Sequence, residues 1–427
     1  MLLRWAAPED AEELAAFNIR IHSDNSEEPE TWLGSWTREL MNGEHPTTKA
    51  DDFTVVVDTK TGKIVSSLNL ISQTWAMGEV CFGVGRPELV GTDPDYRRRG
   101  LVRAQIEVLH AKSAARGEWV QVITGIPWYY RQFEYEMAMD WGGSRQLFWD
   151  RPGVIQPVDE EPYQMRPAEP TDVPVLQALY GEHGRRSLIT RMRDEAQWAY
   201  ELARPDPQSP SHCNLRIIEQ EGEPVAYIEY QQWGTGITVR EVGVKPGHPW
   251  RPVGQFISRA MKNVADELNQ GREKPIRYLS FRMGQDHPIY EAMGRLLERQ
   301  IPPYAWYVRV PDLPGFLRHL APVLERRLAN SVMAGCTGTL RLNFYRRQLR
   351  LVFDKGRLAE VGTYVAKNVE DGDAMFPDLT FLQLLFGRRS VAELAAAFGD
   401  CYVKDGDAWV LLPILFPKRP SHVNPLQ

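Results

Sequence analysis

Cysteine is scarce: Cys81, Cys213, Cys336 and Cys401 are the only four in 427 residues, far apart and without CxxC or Cys/His spacing. A disulfide framework and a metal site therefore have no support in the sequence, and a reduced, cytoplasmic protein is expected. No apolar run approaches the ~20 residues that a membrane helix requires, so no membrane insertion is expected. Met1-Leu2-Leu3-Arg4 turns charged at Glu9-Asp10, which leaves no apolar core for a signal peptide. A positive excess is missing as well. Fifty Lys and Arg against 56 Asp and Glu give a formal charge of −6, which argues against a partner such as nucleic acid or an anionic membrane. With 43% apolar and 25% charged residues the chain reads as ordinary globular protein. Its length exceeds what one core usually supports, so two or three domains are expected.

Against that acidic background the stretch from Glu88 to Arg116 stands out. Glu88-Leu89-Val90-Gly91-Thr92 ends a short apolar strand, Pro94 turns the chain, and Arg97-Arg98-Arg99-Gly100 leads into a helix that ends near Arg116-Gly117. The first amides of a helix have no partner within it, and they sit at the positive end of the helix dipole. Gly100 allows close approach and the arginines add charge, so the segment is suited to phosphate.

This segment resembles motif A of the GCN5-related N-acetyltransferases (GNAT), Gln/Arg-x-x-Gly-x-Gly/Ala. Arg97 and Gly100 take the first two fixed places, and Val102 departs from the third. The resemblance implies acetyl-coenzyme A as cosubstrate, with no metal. By position, the main chain of Val90, Gly91 and Thr92 would face the pantetheine arm. Arg97, Arg98, Arg99, Gly100, Leu101, Val102 and Arg103 would surround the phosphates.

The preceding elements fit the same fold. Leu2 to Trp5 reads as a strand, Pro8-Glu9-Asp10 opens a helix with Leu14, Phe17 and Ile21 at helical spacing, and Trp32, Leu33, Trp36 and Leu40 mark a second helix. Phe53 to Val57 and Ile64 to Leu70 form a hairpin through Thr59-Lys60-Thr61-Gly62-Lys63. After the strand Trp119 to Ile123 comes an aromatic cluster in which Tyr130, Phe133 and Tyr135 match a Tyr-x-x-Phe-x-Tyr pattern. The resemblance makes Tyr130 the general acid for the departing thiolate. A tyrosine is protonated at neutral pH, as that role needs.

The chain then begins again. Arg4, Pro8, Asp10 and Leu14 are matched by Arg166, Pro170, Asp172 and Leu176, each displaced by the same interval, and the hairpin Leu215 to Ile218 with Val225 to Tyr230 echoes the first. Where this copy reaches its loop, Pro249 and Pro252 remove amide donors, so it is expected to have lost coenzyme binding. A third unit is expected to start with a helix near Leu317 to Leu328. A meander over 339–360 and helices over 379–386 and 391–398 follow, and the Leu/Phe stripe of the former reads as core.

Two GNAT copies, one degenerate, followed by a sterol-carrier-like domain resemble the enhanced intracellular survival (Eis) family of acetyltransferases. The expected fold class is α+β or α/β with mixed sheets, divided into a catalytic domain (1–150), a degenerate copy (162–310) and a sterol-carrier-like domain (311–427). What the resemblance implies is transfer of acetyl to a primary amine such as an aminoglycoside, polyamine or lysine, by direct attack, in a homo-oligomer, specifically a hexamer. A coenzyme-binding regulator and a lipid-binding or scaffold protein are the alternative readings. The acidic run Asp24, Glu27, Glu28 and Glu30 is expected to meet a cationic acceptor at the pocket mouth. The resemblance also places the C-terminal carboxylate, on Gln427, at the transfer centre, with His422 as a rival base.

Overall fold

The computed structural model describes residues 1–155, 157–203, 209, 212–404 and 406–424. Among these, three sheets organise the chain. The first unit contains β1 (Leu2–Trp5), α1 (Ala11–His22), α2 (Trp32–Met41), β2 (Phe53–Val57), β3 (Ile64–Met77), β4 (Val80–Thr92), α3 (Leu101–Ala115), β5 (Glu118–Ile123), β6 (Glu136–Trp141) and β7 (Ser144–Phe148). Helix α1 buries Leu14 and Phe17 on one face, and there Asn18 donates to Thr37 of α2 at 3.0 Å. Both long strands run past the expected limits. The polar run Ser72-Gln73-Thr74 hides the end of β3, and Gly83, Gly85 and Pro87 break the alternation that would have announced all of β4.

The second unit contains β8 (Gln164–Pro167), α4 (Val173–Arg186), β9 (Ile189–Arg191), α5 (Glu195–Ala203), β10 (Asn214–Gln220), β11 (Glu223–Trp233), β12 (Gly236–Val244), α6 (Trp250–Leu268), β13 (Tyr278–Phe281), α7 (Pro288–Met293), β14 (Arg299–Ile301) and β15 (Tyr304–Arg309). Its opening repeats a local device of the first. Arg4 grips both oxygens of Asp10 at 2.7 Å, and Arg166 grips those of Asp172 at 2.7 and 2.9 Å. In each case the same carboxylate accepts a main-chain N–H at 2.8 Å, which fixes the turn between strand and helix. The paired arginine's hydrogen bonds hold both carboxyls below the usual range.

Sheet membership does not follow chain order. The first sheet runs β1-β2-β3-β4-β5-β15-β6, with β9 against the far end of β3, and the second runs β14-β7-β13-β12-β11-β10-β8. Thus β7 leaves the first unit to pair with β13 and β14, while β15 returns from the second to fill the place between β5 and β6. A division at 150 and 162 therefore cuts across both sheets.

The remaining elements are α8 (Leu313–His319), α9 (Ala321–Ala329), β16 (Gly338–Asn343), β17 (Gln348–Asp354), β18 (Arg357–Thr363), β19 (Ala374–Met375), α10 (Phe381–Leu385), α11 (Val391–Ala397), β20 (Tyr402–Val403) and α12 (Asp407–Leu415), with sheet order β18-β17-β16-β19-β20. The helix expected near 317–328 is two helices, because Pro322 has no N–H to continue α8 and opens α9 instead. The Leu/Phe stripe of α10 is buried in a core that also holds Trp75 and Trp306 of the first sheet. Gln383 donates to Glu136 at 3.2 Å across this boundary.

Burial also holds several histidines neutral: His110 and His183 are lowered to about 3, and His287 and His422 are lowered too. In the unfolded chain they titrate near ~6.5. Their contribution to stability is complete above that value and is lost as the pH falls toward the folded values, because unfolding then takes up protons. We expect Tm to fall steadily from about pH 7 to about pH 5 and His183→Gln to flatten that slope. A parallel slope in the variant would show that its imidazole is not held neutral.

Candidate active site

Strands β4 and β5 pair in parallel only where Gly83 to Gly85 meet Glu118 to Gln121. Beyond that, β4 stays with β3 and β5 turns to β15, so the two diverge into a wedge and one edge of β4 is left unpaired. Leu89, at φ +51°, marks a bulge opposite the interval between Ser67 and Asn69 that re-aims the end of β4. A buried network then ties strand end to helix. Ser66 donates within reach of the Gly91 carbonyl (2.9 Å) and Gln105 Oε1 (2.6 Å), and Gln105 Nε2 donates to the Thr54 carbonyl at 3.1 Å.

Between them lies the basic loop. Asp93 accepts from the Asp95 N–H and starts a tight turn over Pro94–Tyr96. Gly100 sits at φ +74° and caps α3, and a Cβ there would meet no atom within 4 Å, so the helix start opens to solvent. Arg97, Arg98, Arg99 and Arg103 are exposed, and no carboxylate among the described residues pairs with them. Arg99 instead lies over Tyr96 at 4.9 Å and Arg103 over Phe133 at 5.0 Å. Val90 to Thr92 and Arg97 to Arg103 line one cleft of about 750 Å³, together with Tyr129, Gln132 and Phe133. Helix-start amides, a Cβ-free helix cap and guanidinium groups without a carboxylate partner among the described residues, beside an unpaired strand edge, fit a pantetheine chain ending in phosphates.

The other side of the wedge is a cavity of about 790 Å³. It shares His22, Val90 and Ile126 with the cleft, so the two spaces meet at the end of β4. Tyr130 lines this cavity, 3% exposed, with its ring edge-on to Tyr129, Tyr135 and Tyr307. Burial, and then the nearby Glu88 carboxylate, raise its pKa well above the ordinary tyrosine value, so it holds its proton. Tyr129 lines the basic-loop cleft instead.

Two residues that sequence reasoning missed lie beside it. Arg86 is completely buried and donates to Glu88 at 2.9 Å, and both line the cavity, two residues apart on one face of β4. Their i, i+2 spacing was the available signal, but Pro87 between them obscured the strand. His22 is neutral, its pKa lowered by burial against a hydrogen bond to the Leu89 main chain. Its Nε2 is buried without a partner among the described residues and lies 3.3 Å from where a Gly91 Cβ would be, at the junction where His22 lines both spaces.

The acidic run is not gathered at one place. Asp24 lines the basic-loop cleft and Glu30 the cavity, whereas Glu27 and Glu28 are exposed and line neither, because the loop between α1 and α2 carries them outward. Gln427 lies outside the described residues, while Asn424 lines the cavity. His422 is turned away from the cavity. Its Nε2 donates to the Arg240 carbonyl at 3.0 Å and its own carbonyl accepts from His183 at 3.1 Å.

In the second unit β12 and β13 also pair only briefly, over Gly236 to Val239 with Tyr278 to Phe281. Pro249 caps α6 and Pro252 sits in its first turn, so the amide cradle of α3 is absent there. The bond from His422 to Arg240 places this later segment against the middle of β12, just past the point where β12 parts from β13.

Residues 7–138 match the family model of the acetyltransferase (GNAT) domain. No curated protein matches the chain. Among solved structures it is similar to a conserved protein of unknown function from Enterococcus faecalis V583, described as a probable N-acyltransferase, at 14% identity and TM-score 0.65 over 98% of this chain and 96% of that one. A GCN5-related N-acetyltransferase from Anabaena variabilis ATCC 29413 matches at 14% identity and TM-score 0.65, over 100% and 98% of the two chains. Eis1 from Mycobacterium abscessus matches at 13% identity and TM-score 0.57, over 99% and 100%. At such identities the likeness establishes the fold, a GNAT acyltransferase fold with mixed sheets, and the expected fold class is borne out.

Proposed function

We propose that the chain is an acetyl-coenzyme A-dependent N-acetyltransferase of the Eis-like type, whose first unit acetylates a primary amine by direct attack. The observation that carries this reading is the junction of two spaces at the end of β4. One is an anion-suited cleft with four arginines that no carboxylate among the described residues pairs with, the other a cavity holding a carboxylate and a protonated tyrosine. Acetyl-coenzyme A fits as cosubstrate with its phosphates at Arg97 to Arg103 and its pantetheine along Val90 to Thr92. Glu88 takes the ammonium proton of the acceptor, directly or through a water, and Arg86 fixes the carboxylate in place. The unpaired edge of β4 offers a main-chain N–H to the carbonyl oxygen as charge develops there. Tyr130 gives its proton to the departing thiolate, a transfer that its burial reserves for a strong base.

The second unit is a degenerate copy that keeps the fold, lends walls to the cavity and binds no coenzyme. The third unit is a sterol-carrier-like support packed on the first. The setting is cytoplasmic, and the assembly implied by the resemblance is a hexamer, for which sedimentation should show a single species heavier than the monomer.

Tyr130→Phe tests the chemistry. It should lower kcat about a hundredfold while leaving coenzyme affinity nearly unchanged, as expected when a general acid is removed from a packed ring. An unaltered kcat would move the role to water or to Tyr129.

A further inference from the structure

The second-unit wall of the cavity carries a feature that amine acetylation does not use. Arg240 is 4% exposed and spends two nitrogens on Glu229, at 2.6 and 2.7 Å, while its remaining Nη1 is buried with no partner. Beside it Arg282 lines the same cavity. Its guanidinium lies over Trp141 at 4.7 Å, and Gly142 makes room for it, since a Cβ there would come within 3.0 Å of Nη2. No carboxylate among the described residues pairs with Arg282. Burial, and then the neighbouring charge of Arg240, lower its pKa.

The charges lining the cavity are Arg86, Arg240 and Arg282 against Glu30 and Glu88. Glu88 is taken by Arg86, and Arg240 is answered from behind the wall by Glu229. Arg282 is left without an ion-pair partner among the described residues, a largely buried cation next to another cation, an arrangement that costs stability unless an anion arrives. Around it the hydroxyls of Thr238 and Ser280 can donate to an oxyanion, the buried and unpartnered Oε1 of Gln146 can accept only from an N–H of the ligand, and the aromatic rings of Trp32 and Trp233 stand edge to face at 5.9 Å elsewhere on the lining.

Resting on the acetyltransferase reading, we infer that the acceptor is an amine that also bears an oxyanion, held by Arg282 and the free nitrogen of Arg240 while its amino group meets Glu88. A plain polycation would bring more positive charge to this wall. A zwitterionic amine satisfies both walls, with a carboxylate or phosphonate on Arg282 through paired N–H bonds.

The test is a matched series of primary amines on the full chain: free amino acids, their carboxamides, and aminoalkyl phosphonates. The anionic members should exceed the carboxamides in kcat/KM by about tenfold or more, most of it in KM, as for a desolvated arginine contact. In Arg282→Gln that ratio should fall toward one, and Arg282→Lys should keep part of it. The ratio of carboxylate to phosphonate identifies which oxyanion fits. Calorimetry of an N-acetylated amino acid with the coenzyme-loaded protein reads the same site without turnover.

If no amine is acetylated but that ligand binds in an Arg282-dependent way, the acetyltransferase reading falls and the oxyanion site stands. If carboxamides or polyamines serve as well as the anionic amines, or the preference survives Arg282→Gln, the inference is overturned while acetyl transfer stands.

Discussion

Gly100→Pro should raise the coenzyme dissociation constant on the order of a hundredfold or more, because it removes an amide at the helix start and each bond from such an amide to a charged group is worth about 1.5–3 kcal/mol. Gly100 sits at φ +74°, and a proline ring holds φ near −65°, so the turn itself must also change. The companion variant Gly100→Ala separates conformation from contact. Its Cβ meets nothing within 4 Å, so only the left-handed strain remains, about 1–2 kcal/mol, and affinity should fall about tenfold. Calorimetry on both variants checks the order wild type, alanine, proline. Equal affinity for all three would remove the helix start from coenzyme recognition. The loop is exposed, so neither change should lower Tm by more than a few degrees.

Glu88→Gln should cost about 10²- to 10⁴-fold in kcat, the range for loss of a positioned general base. The same change leaves Arg86 fully buried beside a neutral amide, and breaking a buried pair in this way costs about 3–5 kcal/mol of stability. Low activity alone therefore does not distinguish a base from a prop. Arg86→Gln does, since it breaks the same pair but keeps the carboxylate. If Glu88 is the base, the two variants should lose similar amounts of Tm while the Glu88 variant loses far more kcat. Equal losses of kcat would make Glu88 a structural partner of Arg86 and leave the proton to another group.

How much of this was legible in advance depended on the range of the signal. The Arg97 to Gly100 loop was legible because its meaning is local: arginines, a glycine cap and a helix within a few residues define an anion site wherever the fold places them. Tyr130 was legible through its spacing to Phe133 and Tyr135. The exchange of β7 and β15 was not, because nothing within Ser144–Phe148 or Tyr304–Arg309 says which sheet edge it fills. Arg86 and Glu88 were passed over because Gly85 and Pro87 disguised the strand that aims them. The cationic wall was hidden for a third reason. Arg240 and Arg282 belong to a copy read as spent, and only the packing of two units against each other brings them to the cavity of the first. The acidic run between α1 and α2 shows the converse, since Asp24 and Glu30, neighbours in sequence, line different spaces.

The most direct measurement is product analysis with acetyl-coenzyme A and a mixed panel of primary amines, in which free thiol and N-acetylated amine are quantified together for the wild type and for Gly100→Pro. We expect thiol release that depends on added amine, an equal amount of N-acetylated product, and loss of both in the variant. Thiol release without acetylated amine, or acetyl transfer that persists undiminished in Gly100→Pro, would contradict that expectation.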